Sequence, residues 1–200
     1  MGDILDMLKK NEEIARKFLK VESALSSTDT PSKLLETLVK QLEVEFGIPY
    51  VWFTFVQRAG NEDLIRRLAM AESLRGQVGI LDEASFKEIL PQKSLPLLAN
   101  ENLRPLYRLF PQTRKFFLKS IAVVPLILNE LLIGSLNLGD ASPERYYPGM
   151  DTSLLQQLAG KVSEHLARMI LPPRKKSGKS GVSQDLTGSG PGASGSKSEK

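Results

Sequence analysis

Apolar positions at Ile4, Met7, Ile14, Phe18, Val21 and Leu25, with Asn11 interposed, recur at alternating three- and four-residue steps. That is a helical stripe of about three heptads. Two uses of it stay open. It packs on its own domain, as any amphipathic helix does, or it pairs with another chain as a short coiled coil. In the second case Asn11 at an a position sets register, and Lys17 faces Glu22 of the partner. Thr30-Pro31 then supplies a cap and a first-turn proline, and Leu35, Leu38, Leu42 and Phe46 mark a second helix that Gly47 and Pro49 stop.

Tyr50 to Val56 is aromatic and β-branched on both faces, the pattern of a central strand in a covered sheet. Residues 62 to 98 keep no sustained period, apart from a short helix from Asp82 to Leu90 and a strand over Ser94 to Ala99. A further short helix is expected between Leu103 and Phe110. Ser120 to Leu128, the pair Asn129-Glu130, and Leu131 to Gly139 read as an antiparallel hairpin. Capping residues Asp151, Thr152 and Ser153 open a last helix whose stripe is Leu154, Leu158, Val162, Leu166, Met169 and Ile170, ended by Pro172-Pro173. The order predicts an α+β layer fold, an antiparallel sheet with N- and C-terminal helices packed on one face.

Composition narrows the chemistry. Cysteine is absent, which removes thiolate catalysis, disulfides and thiolate metal sites; with no apolar run long enough for a membrane span, a cytoplasmic protein without membrane partners is expected. The net charge of +4 resides in residues 172–200, whose six glycines and seven serines predict a disordered basic tail. Residues 1–171 are charge-neutral, so a nucleic-acid face is not expected. Gly178-Lys179-Ser180 resembles the end of a phosphate-binding loop, but no strand or helix flanks it.

Two features could still carry binding. Residues 102–129 hold Arg104, Arg108, Arg114, Lys115 and Lys119 and no acid before Glu130, a setting for an anion, or else charges spread around a helix and a loop. On the strand after the turn, one face presents Leu131, Ile133, Ser135 and Asn137, whose hydroxyl and amide need partners; a ligand, bound water or backbone can serve. Trp52 and Thr54 are expected on the same wall. His165, the single histidine, lies at the edge of the last helix's stripe and reads as a packed helix residue. Carboxylate pairs such as Glu12-Glu13 and Asp82-Glu83 fall in helices or caps and read as solvated faces.

The stretch Ser120-Ile-Ala-Val-Val-Pro-Leu, the strand Leu132 to Gly139, and the loop Asp140-Ala-Ser-Pro-Glu-Arg-Tyr-Tyr-Pro-Gly-Met-Asp-Thr152 resemble the bacterial domain-of-unknown-function family 484, a branch of the GAF superfamily. Tyr147 stands where that family often has histidine, and Asp151 where it often has glycine. The resemblance implies a GAF sheet with terminal helices on one face, often used for dimers, and a small-molecule pocket on the other, with no agreed ligand. With the periodicity and composition, the expected division is an N-terminal amphipathic helix at 1–28, a GAF-like domain at 29–171 and the tail at 172–200. The expectation is a non-enzymatic sensing or signalling module needing no metal or cofactor. It forms a homodimer through its N- and C-terminal helices, binds a small, anionic molecule through Trp52, Thr54, Arg104, Arg108, Ser135 and Asn137, and acts on an effector protein. The alternative is a structural or adaptor homodimer with no ligand.

Overall fold

The computed structural model describes residues 2–91, 94–111 and 115–170. The tail assigned to 172–200, its basic cluster and Gly178-Lys179-Ser180 all lie outside the described residues, as does Arg114.

Helix α1 runs Gly2–Ser26 and α2 Pro31–Phe46. Thr30 Oγ1 accepts the Lys33 N–H at 3.3 Å, Pro31 fills the first turn, and Gly47 at φ 60° ends α2 by donating to Glu43 O at 2.9 Å. Strand β1 covers Tyr50–Gln57, α3 Glu62–Met70, β2 Val78–Asp82, α4 Glu83–Ile89 and β3 Leu97–Ala99. Asp82 caps α4, its Oδ1 accepting from Ser85 N at 2.9 Å. A 3-10 helix at Arg104–Leu109 and another at Lys115–Phe117 precede β4 (Ser120–Leu128), β5 (Leu131–Asp140) and α5 (Ser153–Ile170).

The β4–β5 turn is tight without glycine because Asn129 (φ 49°) and Glu130 (φ 65°) both adopt left-handed backbone, as a type I′ turn requires. The sheet order is β2-β1-β5-β4-β3. Pairings β1–β5, β5–β4 and β4–β3 are antiparallel, as expected. The β1–β2 pair is parallel, so the sheet is mixed. A parallel strand needs a crossover, and α3 supplies it from the segment that shows no sustained period.

The sheet separates two cores. On one face Val51, Phe53, Phe55, Val124, Leu136 and Leu138 meet the apolar sides of α1, α2 and α5, with α3 joining through Leu64 and Leu68. On the other, Trp52, Val56, Ile121 and Val123 are covered by α4 and by Leu103, Leu106, Leu109, Phe110 and Leu118. Ordinary alternation assigns Ile133 to the face of Ser135 and Asn137, but it packs with the helix layer. A bulge causes this: Leu126 pairs with Gly134 and Ile127 with Leu132, which leaves Ile133 as the extra residue and Leu132 on the covered face.

Candidate functional site

The covered face of the sheet carries the expected site residues from β1 and β5. Trp52 pairs across the ladder with Asn137 and Thr54 with Ser135, so all four side chains share that face. Close approach of these strands depends on Gly134, where a built Cβ would lie 2.3 Å from the Thr54 carbonyl oxygen, a backbone atom that cannot move aside. Thr54, Ser135 and Asn137 are fully enclosed. They bond to one another: Ser135 Oγ donates to Asn137 Oδ1 at 2.7 Å, and Asn137 Nδ2 donates to Thr54 Oγ1 at 2.9 Å. Both Asn137 Nδ2 (3.4 Å) and Thr54 Oγ1 (3.3 Å) point at the carbonyl of Leu109. The partner of these groups is therefore backbone, and the network pins the end of the Arg104–Leu109 helix onto the sheet. A buried circuit so satisfied leaves no donor for a ligand unless that helix lifts.

Two open hollows flank this covered region. Trp52 borders one of about 450 Å³, shared with Tyr50, Ser73, Arg75, Gln77 and Pro111. Its Nε1 donates to Gly76 O at 2.9 Å, its ring stacks on Tyr50 at 5.7 Å, and Phe110 meets it edge-on at 5.1 Å. What remains there for a ligand is an aromatic rim with an exposed guanidinium beside it. Arg104 borders the other hollow, about 600 Å³, with Asn100, Glu101, Asn102, Tyr107, Lys119 and Pro143. Asn102 holds left-handed backbone there at φ 53°. Among the described residues neither Arg104 nor Lys119 makes an ion pair, although Glu101 supplies one carboxylate at the rim. An anion there would find two cations and little competition.

Arg108 is not part of that hollow. Its Nη1 meets Glu88 Oε2 at 3.1 Å and its Nη2 donates to Ser85 Oγ at 2.6 Å, so it ties the 3-10 helix to α4. His165 is buried in α5. Among the described residues no His, Cys, Asp or Glu cluster could hold a metal ion.

The loop after β5 does work that reading residues one at a time did not find. Asp140 Oδ1 accepts from Ser142 N at 2.8 Å, Ser120 Oγ donates to Ser142 O at 2.7 Å, and Asn100 Nδ2 donates to Pro143 O at 3.0 Å. Arg145 Nη2 donates to Phe46 O at 2.6 Å and its Nη1 lies 3.5 Å from Asp140 Oδ2. A guanidinium at the carbonyl end of α2 satisfies orphan acceptors and opposes the helix dipole. One loop thus fastens β3, β4, β5 and α2. The sequence signal was present, since this loop is one of the stretches that carry the family resemblance.

Two leading helices, a sheet with a crossover strand at one edge, and a closing helix on the leading helices' face are the α+β arrangement of a GAF domain. Residues 28–167 match the GAF domain family, and the chain belongs to it. The fold resembles the GAF domain from Acinetobacter phosphoenolpyruvate-protein phosphotransferase (TM-score 0.56, 13% identity, covering 77% of this chain and 92% of that one). It likewise resembles the GAF domain of a phosphoenolpyruvate-protein phosphotransferase from Coxiella burnetii (TM-score 0.54, 11% identity, covering 78% and 94%). At such identities the likeness is one of fold. No curated protein matches the chain. Among the described residues no helix is long and apolar enough to cross a membrane.

Proposed function

We propose that this chain is a non-enzymatic regulatory module of the family 484 branch of GAF domains, which takes a small anion in the hollow between Arg104 and Lys119. The observation that carries this reading is a pair of cations that form no ion pair among the described residues and border a space of about 600 Å³. Arg104 starts the 3-10 helix whose far end, Leu109, is bonded to Thr54 and Asn137 of the sheet. An anion drawn to Arg104 therefore pulls on an element that reports to the central strands, and an effector protein reads the result. The exposed half of α1 offers the surface for pairing two copies through their terminal helices.

A second reading, an adaptor homodimer without ligand, is favoured by the satisfied Thr54–Ser135–Asn137 network, which leaves the covered face nothing to offer. Thermal-shift titration with inorganic phosphate, citrate and nucleoside monophosphates separates the two. A ligand at one hundred times its dissociation constant stabilises by about 2.7 kcal/mol. The shift should vanish in the double variant Arg104→Ala/Lys119→Ala and persist in Arg108→Ala. No shift with any anion, or a shift indifferent to Arg104 and Lys119, supports the adaptor.

A further inference from the structure

The two edges of the sheet are defended differently. β3 is only three residues long and follows Pro96, which limits what another chain can pair with. β2 has five residues, and its Val78-Gly79-Ile80-Leu81 run carries no charge and no proline. Its inner side is committed to β1 in parallel register, Phe53 opposite Val78 and Phe55 opposite Ile80. Phe53 N donates to Gln77 O at 2.8 Å, which sets the alternation. Gln77, Gly79 and Leu81 turn their backbone groups toward β1, and Val78, Ile80 and Asp82 turn theirs outward. Among the described residues the outward groups of Val78 and Ile80 meet no hydrogen-bond partner, whereas Asp82 serves as the N-cap of α4 and its N–H turns to its own carboxylate. The strand is largely exposed, Ile80 at 47%.

We infer that β2 is a self-pairing edge, which joins the β2 strand of a second copy in antiparallel register about a two-fold axis at Ile80. This goes beyond the ligand reading and does not depend on it. Ile80 then faces the partner's Ile80, the two exchanging a pair of hydrogen bonds, and Val78 faces the partner's Asp82. Side chains of the two Ile80 residues cover each other on the helix-layer side. Charge is self-complementary too. Arg75, just before the strand, meets only Glu72 among the described residues, at 3.7 Å, and lies at the same end of the paired strands as the partner's Asp82, which faces Val78. A parallel alignment would set Arg75 against the partner's Arg75 and Asp82 against the partner's Asp82, so charge selects the antiparallel one. The two sheets become continuous, and because the axis is perpendicular to the sheet, both helix layers stay on one side.

So short an edge buries a small interface, and the association belongs to the weak, concentration-dependent class. Amide hydrogen exchange of the full chain, resolved by residue and repeated from micromolar to near-millimolar protein, tests it. The outward amides of Val78 and Ile80 should slow at least about tenfold as concentration rises, while Gly79 and Leu81, bonded to β1, stay protected throughout. Ile80→Lys, exposed enough to fold normally, should abolish the slowing and reduce the weight-average mass in sedimentation. Ile4→Lys/Met7→Lys, on the exposed end of α1, should leave the slowing intact. Fast exchange of Val78 and Ile80 at every concentration overturns the proposal. So does slowing that survives Ile80→Lys or that is lost with the α1 variant, which would assign association to the helices.

Discussion

Tyr146 sits at 5% exposure in the helix-side core, with a buried hydroxyl that finds no well-formed hydrogen-bond partner among the described residues. Arg145 lies over its ring, 5.8 Å from the centroid, and only partly offsets the cost of ionising there. Burial pushes the phenol up from 10.0 to about 12. A raised folded-state pKa means the folded protein holds its proton while the unfolded chain loses it. Stability from this group is therefore complete below about pH 10 and drains as pH climbs toward 12, at a total of about 2–3 kcal/mol. Tyr146→Phe removes both the unpartnered hydroxyl and the titration. At pH 7 it should be neutral or stabilise by up to about 1 kcal/mol. Above pH 10 the variant's urea midpoint should fall less steeply than the parent's, and equal slopes would show that Tyr146 is not the group responsible.

At the scale of elements, the loop from Asp140 to Tyr146 decides how β5 meets the helix layer. Arg145→Ala leaves the Phe46 carbonyl without its charged donor and frees Asp140, which should cost about 1–2 kcal/mol in chemical denaturation. Arg145→Lys should recover less than half of that, since an ammonium cannot copy the spread of a guanidinium across Phe46, Gly47 and Asp140. If Ala and Lys behave alike and neither destabilises, the loop is not a fastener. The elements most legible in the sequence were those whose stabilisation is local: Thr30-Pro31 and Gly47 bound α2, and the Asn129-Glu130 hairpin follows from two strong strands. What escaped was set by distance. β2 is five residues of Val-Gly-Ile-Leu-Asp that become a strand only because Phe53 and Phe55 offer a ladder, and nothing within 64–80 announces a parallel partner. Placing Ser135 and Asn137 on one wall with Trp52 and Thr54 was legible from period two, but their closure by Leu109 O was not, because that acceptor belongs to a residue 28 positions away. Arg104 and Arg108 look equivalent in sequence. Glu88 and Ser85, brought in by α4, engage one and leave the other at the hollow.

Across the whole molecule, α1 divides into two halves with opposite settings. Phe18, Val21 and Leu25 are buried against α2 and α5, and Lys161 of α5 meets Glu22 at 2.7 Å, so the final helical turns are part of the folded core. Ile4 and Met7, on the same stripe, are 62% and 59% exposed, with Leu5 and Leu8 exposed beside them. The heptad pattern thus describes a single seam whose later half is satisfied within the chain and whose earlier half is offered outward. Pairing between chains, if it uses α1, is confined to that earlier half, because Lys17 already pairs with Glu13 and Glu22 with Lys161. The two halves should separate cleanly in stability measurements. Residues 4–12 are all exposed, and deleting residues 1–12 should move the unfolding free energy by less than about 0.5 kcal/mol in dilute solution. Leu25→Ala, which empties a fully buried position, should cost about 2–5 kcal/mol. Were the truncation as costly as Leu25→Ala even at low micromolar protein, the exposed turns would have to be buried in the native particle. Stability would then depend on protein concentration, and a second chain would belong to the folded unit itself.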